Sequence, residues 1–205
     1  MCSGEGTVSA VDDDPWGEYV DDWDDDEGAR IYARSAHEYL LRVLEDRAVA
    51  LDGARVCDFG AGTGLLTELI ADRVAHVDAV DTSDGMLAQL RAKIDRLAWR
   101  HVTASADVPT GVGEYDLVIC SSVLSFVDDL GATVAALAAL LRPGGVFVHW
   151  DWERTDDDGH GLTRDEASGA LRSAGLVEVA VEPAFRFQVE GELVWPLSGV
   201  GSAAS

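Results

Sequence analysis

From Ala29 to Val189 the apolar positions alternate between two habits, a helical spacing of three to four residues and short, nearly continuous runs. Ile31, Tyr32, Tyr39, Leu40, Val43 and Leu44 fall on one helical face, predicting a helix from Ala29 to about Arg47. The run Val56 to Phe59 predicts a buried strand, and Leu65, Leu66, Leu69, Ile70 and Val74 form the face of a following helix. Val77 to Asp81 gives a second strand, so strand, helix and strand follow in immediate succession. Ser83 can cap the next helix, whose inner side is Met86, Leu87, Leu90, Ile94 and Leu97. A weak third strand is expected near Trp99 to Thr103, and a strongly apolar fourth at Tyr115 to Ser121. Leu130, Val134, Leu137, Leu140 and Leu141 mark another helix, which Arg142-Pro143-Gly144-Gly145 stops before a fifth strand, Val146 to Trp150. Thr163-Arg164-Asp165-Glu166 fits a capping box and opens a helix ending at Gly175. Two last strands, Val177 to Glu182 and Phe185 to Val189, are joined by Pro183-Ala184 with no room for a helix, which predicts an antiparallel hairpin at one edge. The alternation implies an α/β domain around a doubly wound, mostly parallel sheet of seven strands.

The chain has 205 residues, enough for one sizeable core. Its formal net charge of −23 argues against a nucleic-acid backbone or an anionic membrane surface as partner, because binding phosphates needs clustered cations. Lys93 is the only lysine. Cys2, Cys57 and Cys120 have no metal-ligand spacing, and the last two sit in apolar runs, which points to a reducing interior and to no metal site. No signal peptide is recognised and no apolar run approaches the roughly 20 residues of a membrane span, so a soluble, cytoplasmic protein is expected. The segment 1–28 stands apart from the domain expected over 29–205: Asp12 to Glu27 is dense with carboxylates yet carries Trp16, Tyr19 and Trp23, which a solvated acidic tail would lack.

The chemistry concentrates at Val56-Cys57-Asp58-Phe59-Gly60-Ala61-Gly62-Thr63-Gly64-Leu65-Leu66, a strand, a glycine turn and a helix start. Alternate glycines let the backbone curl tightly and let a ligand lie on bare N–H groups. The dinucleotide fingerprint needs a small residue three positions after its second glycine, and Leu65 stands there; a Gly-Lys-Ser/Thr phosphate loop is also missing. Asp81 ends the second strand, seventeen residues after Gly64, where a carboxylate can accept hydrogen bonds from both hydroxyls of a ribose. Nicotinamide sites use the same device, so Asp81 by itself does not choose the ligand.

The acid at the strand end followed by Gly60-x-Gly62-x-Gly64 resembles the first motif of class I S-adenosylmethionine (AdoMet) methyltransferases, which have a Rossmann-like sheet. Tyr115 to Leu124 resembles that family's fourth-strand motif, and Leu140 to Phe147 its motif before the fifth strand. The likeness covers about Ala29 to Val189 and is greatest to small-molecule methyltransferases akin to the ubiquinone and menaquinone biosynthesis group. It implies AdoMet as cofactor and a small organic acceptor. It also implies that Gly60, Gly62 and Gly64 lie along the methionine and ribose, that Asp58 is tied to the amino-acid end, and that Ser121 flanks the methionine. Two departures stand out. The family's adenine-binding acid aligns with Ala104 and Ser105, with Asp107 the nearest carboxylate, and Ser125-Phe126 stands where relatives often have histidines.

Methyl transfer needs alignment and water exclusion, and a base where the acceptor is a hydroxyl or a protonated amine. His149, Asp151 and His160 are candidates; the first two leave the fifth strand at the end where open α/β sheets bind ligands, and they share one face. Lys93 falls on a helix away from this site. Trp16, Tyr19 and Trp23, with Gly17 and Gly28 as hinges, would form a cover over cofactor and acceptor. A non-catalytic AdoMet-binding protein, a nucleotide or NAD-dependent enzyme, and an acidic interaction module remain as alternatives. The acceptor atom and the oligomeric state are open.

Overall fold

The computed structural model describes residues 20–155, 161–189 and 192–205. A four-residue helix, α1 (Val20–Trp23), leads into α2 (Glu27–Asp46), which Asp26 opens by accepting a hydrogen bond from the Ala29 amide at 2.6 Å. The strands β1 (Arg55–Phe59), β2 (His76–Val80), β3 (Val102–Ser105), β4 (Tyr115–Ser121) and β5 (Leu141–Trp152) run parallel. Between them come α3 (Leu65–Ile70), α4 (Asp84–Leu97) and α5 (Leu130–Ala139). After α6 (Arg164–Ser173) follow β6 (Val177–Pro183), β7 (Phe187–Val189), β8 (Glu192–Val194) and β9 (Pro196–Ser202). The main sheet has the order β3-β2-β1-β4-β5-β9-β6.

Alternate residues of the central strands feed two separate cores. Val56, Leu117, Ile119, Val146, Val148 and Trp150 turn toward α2 and α3, where they meet Leu40, Leu44, Leu66 and Ile70. Cys57, Val118, Cys120 and Phe147 turn the other way, toward Val134 and Leu137 of α5 and Leu171 of α6. Each large aliphatic side chain fully buried this way contributes about 1.5–3 kcal/mol. Cys57 and Cys120 are free and buried, with their thiols pushed up by desolvation, as small hydrophobes should be. Among the described residues no group of three or more potential metal ligands converges, and no helix is long and apolar enough to cross a membrane.

Both helix starts expected from capping residues are present: Ser83 accepts from the Met86 amide, and Thr163 and Glu166 form a reciprocal capping box. The third strand starts later than the apolar pattern suggested. Ala98 takes a left-handed φ of 53° to end α4, which spends Trp99 to His101 on the turn and leaves Val102–Ser105 to pair with β2.

The edge of the sheet differs from the expected hairpin. The antiparallel partner of β6 is β9, which is wedged between β5 and β6, whereas Phe187–Val189 pairs with Glu192–Val194 in a separate two-stranded sheet. The sequence Pro-Leu-Ser-Gly-Val-Gly-Ser of β9 has little apolar alternation, yet every one of its residues is buried. Its small residues are demanded by the neighbours. A Cβ at Gly199 would collide with the His149 ring and one at Gly201 would lie 2.9 Å from Leu176 Cβ.

Candidate active site

Phe59, Val80, Ser105 and Cys120 lie side by side in register, so the carboxyl ends of β1 to β4 form one ledge. The chain order reverses between β1 and β4, the position at which open α/β sheets leave a crevice. The glycine turn closes over this ledge. Gly60 and Ala61 donate their amides to the Val80 carbonyl at 2.8 and 2.9 Å, and Gly60, Gly62 and Gly64 have φ of 76°, 55° and 83°.

The three glycines serve different needs. A Cβ at Gly60 would lie 2.5 Å from Val123 Cβ, and one at Gly64 would lie 2.5 Å from Leu90 Cδ1, so both answer to packing inside the protein. At Gly62 the nearest atom is Met86 Sδ, 3.9 Å away. Packing among the described residues therefore does not itself demand a glycine at Gly62, which is partly exposed.

Two carboxylates flank the turn. Asp81 Oδ2 accepts the Gly62 amide at 2.7 Å and Oδ1 accepts the Ser83 amide at 2.9 Å, which orients its remaining lone pairs along the turn. Asp58 is buried. Its Oδ2 accepts the Thr67 hydroxyl at 2.5 Å, while Oδ1 has no hydrogen-bond partner among the described residues. Burial pushes the Asp58 carboxyl up to about 6, the Thr67 hydrogen bond pulls it back, and the charge of Asp81 raises it again. An orphaned, buried carboxylate oxygen beside a nucleoside-sized turn fits a ligand that brings its own cationic group.

Beyond β3, the Asp81 amide donates to the Ser105 carbonyl, and Ser105 Oγ accepts the Asp107 amide at 3.0 Å, a side-chain turn that leaves Asp107 exposed. Beyond β4, Ser121 is followed by Ser122 at φ 53°, a left-handed conformation that L residues seldom adopt. The Ser122 amide donates to the Trp150 carbonyl and its hydroxyl donates to Tyr32 at 2.9 Å. The next turn, Leu124–Phe126, is held by Asp151, which accepts from the Leu124 amide at 3.1 Å and from the Ser125 amide and hydroxyl at 3.4 and 2.7 Å.

His149 and Asp151 do share a face, with His149 Nδ1 4.0 Å from Asp151 Oδ2, but both are fully enclosed. His149 is packed beneath Gly199 and against Phe147, and burial pushes its pKa down to about 4. Asp151 is pushed up to about 6 by burial and pulled back by its bonds from Ser125 and Leu124. A general base has to reach the proton it removes, and neither side chain faces open space here. His160 lies outside the described residues, as do Trp16, Gly17 and Tyr19 of the expected cover. Trp23 ends α1 and is half-buried.

The residue after it makes the link that sequence reasoning missed. Asp24 accepts the hydroxyl of Thr63, inside the glycine turn, at 2.6 Å, and pairs with Lys93 at 2.8 Å; Lys93 also pairs with Glu68 at 3.0 Å. Lys93 is only 3% exposed. It is on helix α4 but does not stand apart from the site, since it fastens the N-terminal segment to the flank of the glycine turn. A single lysine in a chain of net charge −23 was the available signal. Tyr32 was missed for a different reason, because its helical spacing marked it as core and gave no hint of where its hydroxyl ends.

A mostly parallel sheet with a glycine turn after β1, an acid at the end of β1 and another after β2 defines the class I methyltransferase architecture. The chain belongs to the methyltransferase domain family, whose model matches residues 29–186. It is 38% identical over 104 residues to a ubiquinone biosynthesis O-methyltransferase of Aromatoleum aromaticum, covering 49% of this chain and 44% of that protein. It is 30% identical over 169 residues to the protein of that name in Psychrobacter arcticus, covering 70% and 66%. To a trans-aconitate 2-methyltransferase of Azoarcus it is 31% identical over 168 residues, covering 79% and 64%. The chain thus spans roughly half to two thirds of the length of these relatives. The same fold occurs in a SAM-dependent methyltransferase of Aquifex aeolicus, with a TM-score of 0.61 at 17% identity over 80% of this chain and 89% of that one. It recurs in magnesium protoporphyrin IX methyltransferase of Synechocystis with bound SAH, with a TM-score of 0.65 at 18% identity over 85% and 84%.

Proposed function

We propose that this chain is an AdoMet-dependent methyltransferase acting on a small organic acceptor. The observation that carries the reading is the combination of a glycine that packing does not demand, Gly62, with the orphaned carboxylate oxygen of Asp58. AdoMet offers what these groups lack, an ammonium for Asp58 and a ribose whose hydroxyls Asp81 can accept, with Gly60, Gly62 and Gly64 shaping the turn beneath. Ser121 would flank the methionine end. Ser105 or Asp107, beside Asp81 at the end of β3, would meet the adenine edge. When bound, AdoMet supplies a methyl group already activated by a sulfonium leaving group, so the protein's own task is to align and to exclude water.

In this reading Asp151 anchors the loop after β4 and His149 fills the core under β9, and neither removes a proton. Residues 1–28 serve as a cover for the domain over 29–205, a role supported by the docking of Asp24 on Thr63 and Lys93. The low cation content disfavours a nucleic-acid partner and suits a small-molecule acceptor.

Calorimetric titration of the purified protein tests the cofactor assignment. AdoMet and S-adenosylhomocysteine are expected to bind and NAD is not. Tighter binding of NAD than of AdoMet, or no binding of either by folded protein across a range of salt, would overturn it.

A further inference from the structure

Met86, Leu90 and Lys93 follow one another along α4 at helical spacing and share one of its faces. Leu90 Cδ1 lies where a side chain on Gly64 would begin, and Met86 Sδ is the atom nearest the corresponding place at Gly62. Lys93, one turn further on, is 3.0 Å from Glu68 of α3 and 2.8 Å from Asp24, just past α1. One ammonium thus ties three helices together. Every other basic residue of the chain is an arginine. A compact ammonium fits between carboxylates from separate helices, where a planar guanidinium fork would need more room. Neither contact has the alignment of a hydrogen bond, so charge alone holds Asp24 to Lys93.

The other oxygen of Asp24 accepts the Thr63 hydroxyl at 2.6 Å. Thr63 is buried in the middle of the glycine turn, between Gly62 at φ 55° and Gly64 at φ 83°. Glycine loses more conformational freedom on ordering than any other residue, so a turn with glycine on both sides of Thr63 needs to be held from outside. Asp81 holds the Gly62 amide, and Asp24 holds the next residue. Withdrawal of Asp24 would leave Thr63 without this acceptor and Lys93, 3% exposed, with a single carboxylate. Asp24 itself is 42% exposed and can exchange both partners for water. The joint can therefore open at Asp24 without disturbing the sheet.

We propose that Lys93 is a positioning residue for the cofactor turn: by holding Asp24 on Thr63 it couples the docking of α1 to the binding of cofactor, so that each strengthens the other. The inference rests on the AdoMet-binding reading given above. A ligand lying along the turn orders Gly62 and Gly64, and so does Asp24 when docked on Thr63. Whichever arrives first spares the other that ordering cost, and no direct contact between Asp24 and the cofactor is required. Linkage makes the effect reciprocal. The factor by which docking raises AdoMet affinity equals the factor by which AdoMet strengthens docking. The segment is accordingly held tightly while the turn is occupied and loosely when it is empty, and cofactor exchange goes with the parting of one charge pair.

The test uses the full chain and two readouts, calorimetric affinity for AdoMet and hydrogen exchange of the amides of residues 20–26. In the wild-type protein, saturating AdoMet is expected to slow that exchange about tenfold, the worth of one hydrogen bond to a charged group. Asp24→Ala and Lys93→Met should each weaken AdoMet binding by about the same factor while still unfolding cooperatively. The double variant should bind no worse than the weaker single one, because both act through one contact. Asp22→Ala removes an exposed carboxylate two residues away and should bind AdoMet as the wild type does. Exchange at residues 20–26 unaffected by AdoMet, affinity within twofold of wild type in Asp24→Ala, losses that multiply in the double variant, or an equal loss in Asp22→Ala would each overturn the coupling. Wild-type protein that is folded and binds no AdoMet would overturn the cofactor reading, and this inference with it.

Discussion

Gly62→Val is expected to weaken AdoMet binding about a hundredfold or more while the protein still unfolds cooperatively. A Cβ there would meet only Met86 Sδ, at 3.9 Å, so the protein itself opposes the added carbon little and, in the proposed reading, the branched side chain takes room that the ligand needs. Overpacking of a few heavy atoms costs about 1–3 kcal/mol, and 2.7 kcal/mol is a hundredfold in affinity. The backbone contributes a smaller penalty, because φ is 55° at this position and a left-handed L residue costs roughly 1–2 kcal/mol. Gly60→Val is the control. There the new Cβ would lie 2.5 Å from Val123 Cβ, a compact, branched side chain with little room to yield, so stability should fall together with binding. Calorimetry and thermal unfolding of the two variants separate these outcomes, and wild-type affinity in Gly62→Val would place the ligand elsewhere.

The affinity for AdoMet should also decline on acidification, by about fivefold from pH 6 to pH 5. The cause is Asp58. Its carboxyl in the ligand-free protein is pushed up to about 6, chiefly by burial, and the ammonium of AdoMet is bound by the ionised form. Well above pH 6 the carboxylate is already charged and affinity is flat; as pH falls through 6 a proton must be released on binding, and the loss approaches a factor of ten for each further unit. Stability of the ligand-free protein moves in the opposite sense. A carboxyl whose folded pKa exceeds its unfolded value of roughly 3.9 binds a proton more readily when folded, so this group adds stability as pH falls from about 6 to 4. Asp58→Asn should remove the pH dependence and lower affinity at pH 7.5 by about tenfold or more, since a hydrogen bond to a charged group is worth about 1.5–3 kcal/mol. Titrations at pH 7.5, 6 and 5 check both, and a flat wild-type profile would mean that Asp58 does not carry the ammonium.

What the sequence revealed depended on how each residue earns its place. Helices α2, α4, α5 and α6 were legible because their buried residues repeat at helical spacing, and α4 and α6 also because Ser83 and the Thr163–Glu166 box mark their starts. The glycine turn and Asp81 were legible because only special residues satisfy a left-handed backbone and a ribose-sized acceptor. β9 was not, since Gly199 and Gly201 are there to make room for His149 and Leu176, and room leaves no apolar pattern. Alternation placed His149 and Asp151 correctly on one face of β5 but gave no warning that Gly199 and the turn at Leu124–Ser125 enclose them. Tyr32 and Ser122 are ninety residues apart, and Lys93 reaches Asp24 across the fold; such meetings exist only in three dimensions.

The most direct measurement of the central claim is transfer of label from methyl-labelled AdoMet to a small molecule in an extract of the source cells, with Asp81→Ala run alongside. The wild-type protein is expected to yield S-adenosylhomocysteine and one methylated product in equal amounts, and Asp81→Ala to yield far less at the same AdoMet concentration. AdoMet bound by the wild-type protein but never consumed, or consumed equally well without the Asp81 carboxylate, would contradict the account.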